Sequence, residues 1–195
     1  MEFSQVVRRR RMVRRYTDQP VDPDALDRVL DAARRGPSAG FSQGQTFVVV
    51  TDAALRARLA ELADEPAYVA AGFDPWVSSA PVLIVPCAEP ARYEARYAEA
   101  DKARSGGPGA WRTPYWWLDT GAALVLMQLA AVDEGLATGF LDVTDHGALR
   151  DFLGIPADVL PAGVVTLGHP AVDRRSGSLA RGRRAWDDVV RHDRW

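Results

Sequence analysis

Six arginines crowd the stretch VVRRRRMVRRYTDQP between Val6 and Pro20: Arg8, Arg9, Arg10, Arg11, Arg14 and Arg15. On a helix, Arg10 and Arg14 would lie one above the other with Arg11 beside them. Three guanidiniums arranged in this way can clamp a phosphate, because their planar forks match its oxygens in paired hydrogen bonds. Arg8, Arg9 and Arg15 then point elsewhere, as solvated surface. Read alone, such a run is more often just an exposed charged face.

Two other stretches point to an anion. From Gly36 to Phe47 the chain reads GPSAGFSQGQTF. Its glycines let the backbone approach a flat ligand closely, and Ser38, Ser42 and Gln43 supply hydrogen-bonding groups. Far away in sequence, LARGRRAW adds Arg181, Arg183 and Arg184. Two arginine clusters and a Gly/Ser loop suit one phosphorylated planar cofactor.

Composition removes several alternatives. The chain of 195 residues has 24 Lys and Arg against 26 Asp and Glu, a net charge of −2, so the arginine run is a local concentration. A protein that coats nucleic acid carries a basic excess over the domain, which disfavours a nucleic-acid module built on Arg8–Arg15. Cys87 is the only cysteine, so an intrachain disulfide and a Cys-rich zinc site are excluded. Within APVLIVPC it reads as a buried, inert thiol. His146 and His169 lack metal-ligand spacing and read as exposed or structural, so no metal is expected. Arg8 to Arg11 stand where a secretion signal needs an apolar core. The longest apolar stretch, GAALVLMQLAAV, is shorter than the roughly 20 residues that cross a bilayer. The expectation is one cytoplasmic domain over 1–195 that engages neither membrane nor nucleic acid.

The elements that must position these residues follow from periodicity. EFSQVVRRRRMVRR reads as a helix with Phe3, Val6 and Val7 on its apolar side. VDPDALDRVLDAARRGPS is a helix capped by Asp22, with Pro23 in its first position and Leu26, Val29, Leu30 and Ala33 as its stripe. TFVVVT is a buried strand, and Asp52 caps a helix carrying Leu55, Leu59 and Leu62. APVLIVP is a second strand, PARYEARYAEADKAR a charged helix, and SGGPGAWRTPYWW a Gly/Pro loop rich in aromatics. Trp117 to Glu134 is the long core helix, ended by Gly135, with Met127 and Gln128 expected in a dimer core. TGFLDV and GVVTLG are the third and fourth strands, and Thr144 is a candidate cap for a helix through Leu153. Strands alternate with helices, which predicts a mixed α/β layer fold around one sheet.

The stretch RRRMVRRYTDQPVDPDALDRVLDAARRGPSAGFSQGQTFVVV resembles the N-terminal signature of the nitroreductase family of FMN enzymes. There the usual order is Arg-Arg-Ser-x-Arg, an aromatic residue, a helix, then Pro-Ser-x-x-Asn-x-Gln. GLATGFLDV and GVVTLGHP are similar to the family's later core segments, and ARGRRAWDDVVRHDRW to its basic C-terminal motif and tail. The resemblance implies an α/β (α+β) three-layer fold, with a central, mainly antiparallel sheet between helices, and an intertwined homodimer with two shared sites. The tail from about residue 181 to 195 would pack on the partner subunit.

Carried over residue by residue, Arg10, Arg11, Arg14, Arg181 and Arg183 would hold the flavin phosphate. Met12 stands where the family usually has serine, so only its backbone could serve. Pro37, Ser38, Ala39 and Gly40, with Gln43, would lie against the flavin across the dimer interface. Phe140, Leu141 and Asp142 would approach the ring's redox-active edge, and Gly168 and His169 the ribityl or phosphate end. Phe41 replaces a common asparagine and Gly44-Gln45 a common Pro-Trp, so the usual substrate pocket is altered. Phe41, Trp111, Tyr115 and Trp116, with Trp117, are candidates for the substrate wall; the aromatics could equally anchor their loop. The flavin performs the hydride chemistry, so no side-chain acid or base is required of Asp142 or Asp145.

The resemblance implies reduction of a nitroaromatic, quinone or enone by NAD(P)H with ping-pong kinetics. A second reading keeps the flavin but changes the chemistry to reductive dehalogenation or flavin fragmentation.

Overall fold

Val82–Ala88 and Val164–Gly168 are buried at every residue, and the fold is built around these two strands. The computed structural model describes residues 1–105, 109, 111–172 and 176–195. Gly106, Gly107, Pro108 and Ala110 of the expected Gly/Pro loop lie outside the described residues. Five strands, β1 (Gln45–Val50), β2 (Val82–Ala88), β3 (Ala137–Leu141), β4 (Leu160–Pro161) and β5 (Val164–Gly168), form one sheet in the order β1-β2-β5-β3, with β4 paired to β2. Each of these pairings is antiparallel.

Side chains alternate across a strand, and the two cores sort accordingly. Val82 and Ile84 of β2, with Val165 and Leu167 of β5, pack under α2 (Pro23–Arg34) and α6 (Tyr115–Asp133). Leu83, Val85 and Cys87, with Val164, pack under α3 (Ala53–Leu62) and α7 (His146–Leu153). Both faces are covered, which explains why β2 reads as an unbroken apolar run and β5 as one interrupted only by Thr166. Burial pushes the Cys87 thiol up to about 11, as an inert buried thiol requires. Among the described residues no helix is long and apolar enough to cross a membrane.

The caps of α2 and α3 are as expected: Asp22 accepts from the Asp24 N–H at 3.2 Å and Asp52 from the Leu55 N–H at 2.9 Å. The cap of α7 is Asp145, which accepts from the Ala148 N–H at 2.8 Å, and not Thr144. A carboxylate at that position satisfies an orphan N–H and meets the positive end of the helix dipole. Met127 and Gln128 are buried within this chain against α2 and the sheet. The face of α6 that lies open carries Leu118 and Val125.

The largest departure is at the N-terminus. The first helix, α1 (Phe3–Arg9), stops before the arginines that matter. Arg10 turns to extended backbone, Met12 forms a parallel bridge to Thr138 of β3, and Tyr16 bridges Pro170. Like charges three and four residues apart oppose a helix here, while the extended path buries Val13 completely against the sheet. Val6 is buried on α1, but Phe3 and Val7 are exposed. Among the described residues the remaining α-helices are α4 (Glu65–Ala70), α5 (Pro90–Tyr97) and α8 (Trp186–Val189).

Candidate functional site

The sequence-predicted residues fall into two groups. The first gathers on the strand at one edge of the sheet. The N–H of Val13 donates to the Thr138 carbonyl at 2.9 Å, and that of Thr17 to the His169 carbonyl at 2.9 Å, so the arginine segment lies along β3 and past the end of β5. The residues after Arg9 lie outside helix α1, which removes the helical reason for grouping Arg11 with Arg10 and Arg14. Arg10 and Arg14 are half-buried, whereas Arg11 is exposed.

Beneath this segment sits a saturated hydroxyl. Thr166 of β5 is fully buried, and its Oγ1 accepts from the Gly139 N–H and the Trp76 indole N–H, both at 3.1 Å. Its own proton then goes to Tyr16 Oη at 2.7 Å, and Tyr16 donates to the Val13 carbonyl at 2.9 Å. Gly168 is in its place for packing, since a Cβ there would meet Pro81 at 2.6 Å and Tyr16 at 3.0 Å. Phe140 and Leu141 end β3, and Leu141 helps Trp76, Val77, Glu65 and Tyr68 to line a hollow of about 140 Å³. Asp142 is exposed and paired with His146 at 2.7 Å; this hydrogen bond holds its carboxyl below the usual range.

The second group surrounds the loop from Pro37 to Gly44, which contains the short 3-10 turn Ala39–Phe41. Gly40, Phe41 and Gln43 all have positive φ, at 63°, 58° and 51°. Two non-glycine residues in that region cost energy that the surroundings must supply. Several bonds supply it. Asp119, buried on α6, accepts from the Ala39 N–H and the Tyr93 hydroxyl, both at 2.8 Å. Burial, followed by that bond, pushes the Tyr93 phenol well above its ordinary value, so it remains a donor. Arg96 donates to the Gly40 carbonyl at 2.8 Å while pairing with Glu99 and Asp101. Ser38 Oγ accepts from the Gln43 N–H at 3.0 Å, and Gln45 reaches back to the Pro37 carbonyl at 3.2 Å. A Cβ on Gly44 would lie 2.3 Å from the Tyr93 ring. The Gly44-Gln45 departure is therefore what admits Tyr93 and braces the loop.

Phe41 stands at the tip of this loop, 75% exposed, so it does not fill the core. Trp111 packs edge-on against Tyr97 at 4.7 Å and Tyr115 at 4.9 Å, and Tyr93 meets both Trp111 and Trp116. Tyr115, Trp116 and Trp117 belong to the first turn of α6 and not to a loop. This packing favours the anchoring role for Trp111 and Trp116. Trp116 Nε1 and Thr120 Oγ1, one helical turn apart, are buried without a hydrogen-bond partner among the described residues. In the tail, Arg181 and Arg183 are exposed, as is every residue from Gly177 to Val189. Among the described residues no group of three or more His, Cys, Asp or Glu could hold a metal.

Sequence reasoning missed Asp119, Tyr93, Trp76 and Thr166. Asp119 had a signal: it is the one charge within the first four turns of an otherwise apolar helix. Trp76 and Thr166 had none, because a strand threonine and a loop tryptophan are ordinary.

With this geometry in view, the relatives are informative. A profile of the Nitroreductase family matches residues 7–169, and the chain belongs to that family. It is 30% identical to the FMN reductase [NAD(P)H] of Bacillus subtilis over 83% of this chain, and spans 63% of that longer protein. Its fold superposes on a nitroreductase family protein from Streptococcus pneumoniae with a TM-score of 0.76, at 23% identity, covering 98% of this chain and 100% of that one. The NADPH:FMN oxidoreductase from Vibrio harveyi, solved with NAD+, gives a TM-score of 0.75 at 20% identity, covering 99% of this chain and 77% of that one.

Proposed function

We propose that this chain is an FMN-dependent oxidoreductase that uses NAD(P)H to reduce a small electron-poor acceptor of the nitroaromatic, quinone or enone type. The observation that carries the reading is the arginine segment pinned beside β3, with Arg10 and Arg14 half-buried in it. Their forked donors suit a phosphate monoester. The strained loop from Pro37 to Gln43 suits the flat ring, since backbone strain of this kind concentrates at ligand sites. Trp116 Nε1 and Thr120 Oγ1, buried beside that loop's supports, have no hydrogen-bond partner among the described residues, and buried polar atoms of this kind suit a polar ligand. The residues present fit FMN.

When bound, FMN supplies the two-electron carrier between the nicotinamide and the acceptor. Arg10 and Arg14, joined by Arg181 and Arg183 from the tail, neutralise and orient the phosphate. Pro37, Ser38, Ala39, Gly40 and Gln43 line the ring, with Asp119 and Arg96 fixing their backbone. Phe41, exposed at the loop tip, forms an apolar wall for the acceptor. Phe140, Leu141 and Asp142 complete the ring's surroundings, and no side chain is asked to move a proton.

The sheet register supports a homodimer. The loop enters β1 at Gln45, which pairs with Ala88, whereas the arginine segment bridges Thr138, which pairs with Leu167 opposite Val82. That places the two groups roughly 20 Å apart along the strands and about 19 Å apart across them. A site that uses both draws them from two subunits.

Phe41 in place of asparagine is the observation that favours the second reading, dehalogenation or flavin fragmentation; the structural reason for Gly44 weighs against it. Steady-state oxidation of NADH and NADPH with a nitroaromatic and a quinone decides between them. The first reading predicts turnover with parallel reciprocal plots. Flavin-loaded protein that turns over neither acceptor would overturn it in favour of the second.

A further inference from the structure

Trp76 lies where the arginine segment meets the turn leading into β2. The Arg14 guanidinium carbon is 4.9 Å from the centroid of the Trp76 ring, a cation–π distance. The ring is held from two directions. Glu65, only 8% exposed, accepts three successive backbone N–H groups: Trp76 at 2.6 Å, Val77 at 2.5 Å and Ser78 at 3.1 Å. Such a run of N–H groups forms a concave anion site, here filled by the protein's own carboxylate. At its other end the indole N–H is fixed to Thr166 Oγ1. The same hydroxyl, through Tyr16, fixes the backbone at Val13, the residue before Arg14. One network therefore sets both the backbone that carries Arg14 and the ring beneath its guanidinium.

We propose that Trp76 is a positioning residue for the phosphate end of the flavin, acting through Arg14. A guanidinium held over a ring face keeps its N–H fork for partners in its own plane. It also has less side-chain freedom to lose when an anion binds. Glu65 and Thr166 serve the same end by holding the ring. This inference rests on the FMN reading above, and it assigns the Arg14 platform to a residue outside the arginine clusters and the ring loop.

The test compares FMN with riboflavin, which lacks the phosphate, by fluorescence quenching on flavin-stripped full-length protein. Trp76→Leu is expected to weaken FMN binding about three- to tenfold, the scale of one cation–π contact, and to leave riboflavin within about twofold. Trp76→Phe, which keeps a ring face but loses the indole N–H bond to Thr166, recovers most of the FMN affinity that Trp76→Leu loses. In an Arg14→Ala background, Trp76→Leu has no further effect on FMN. If Trp76→Leu does not fold, as judged by its thermal melt, Trp76→Met is read in its place. Unchanged FMN affinity, an equal loss for both flavins, or a loss that persists without Arg14 would overturn the assignment. Wild-type protein that binds neither flavin would instead overturn the FMN reading and the proposal with it.

Discussion

Neutralising Arg14 is expected to weaken FMN about tenfold or more, because charge-assisted hydrogen bonds contribute about 1.5–3 kcal/mol. Arg8→Ala, on the solvent face of α1, should change flavin affinity little, and fluorescence titration of both variants checks the contrast. Arg11 separates the present account from the helical one. Outside the helix, and exposed where Arg10 and Arg14 are half-buried, it is not held in their group, so Arg11→Ala should resemble Arg8→Ala more than Arg14→Ala. At the other end of the candidate site, the hydrogen bond from His146 depresses the Asp142 carboxyl. The pair's contribution is present above the ordinary carboxylate range and fades as pH falls through the lowered value. Replacing His146 by alanine should move the Asp142 titration upward, which carbon-detected NMR can follow. These residue-level expectations were partly legible in sequence: arginine forks announce an anion, but which arginines act together depends on backbone that the run itself does not reveal.

That dependence is an element-scale matter. A period-3.6 reading of residues 2–15 holds only over Phe3–Arg9, and of its apolar side only Val6 is buried. What it could not anticipate is the pairing of Met12 with Thr138, a partner 126 positions away, and tertiary pairing overrides local propensity. Asp22 and Asp52 were readable because a cap acts within three residues; the strands β2 and β5 were readable because burial on both faces leaves an apolar run, interrupted in β5 only by Thr166. The ring loop shows the reverse case. Its glycines and serines were visible, but Asp119 and Tyr93, which hold it, come from α6 and α5. Gly44→Ala should force the Tyr93 ring aside and destabilise the protein by about 1–3 kcal/mol, a fall of several degrees in the melting temperature. Asp119→Ala should leave the Ala39 N–H and the Tyr93 hydroxyl unpaired, costing about 1–3 kcal/mol for each buried group. Asp119→Asn keeps an acceptor and should recover much of that loss in the same melt.

At the scale of the whole molecule, the two groups stand at opposite edges and opposite ends of one sheet. A shared site at a dimer interface is the arrangement that lets both serve one flavin. The apolar residues left open on α1 and α6, Phe3, Val7, Leu118 and Val125, lie on the helices such a partner would cover. The exposed tail from Gly177 onward is proposed to reach the partner subunit with Arg181 and Arg183. Removing residues 181–195 should then lower both flavin retention and the dimer fraction in sedimentation velocity. The central claim, that this chain holds a flavin and passes it electrons from a nicotinamide, is tested most directly by the visible spectrum of the purified protein. The account predicts a yellow protein, as isolated or after incubation with FMN, whose flavin absorption bleaches under NADH or NADPH without oxygen. A protein that stays colourless after incubation with FMN, or a bound flavin that neither nicotinamide bleaches, would contradict it.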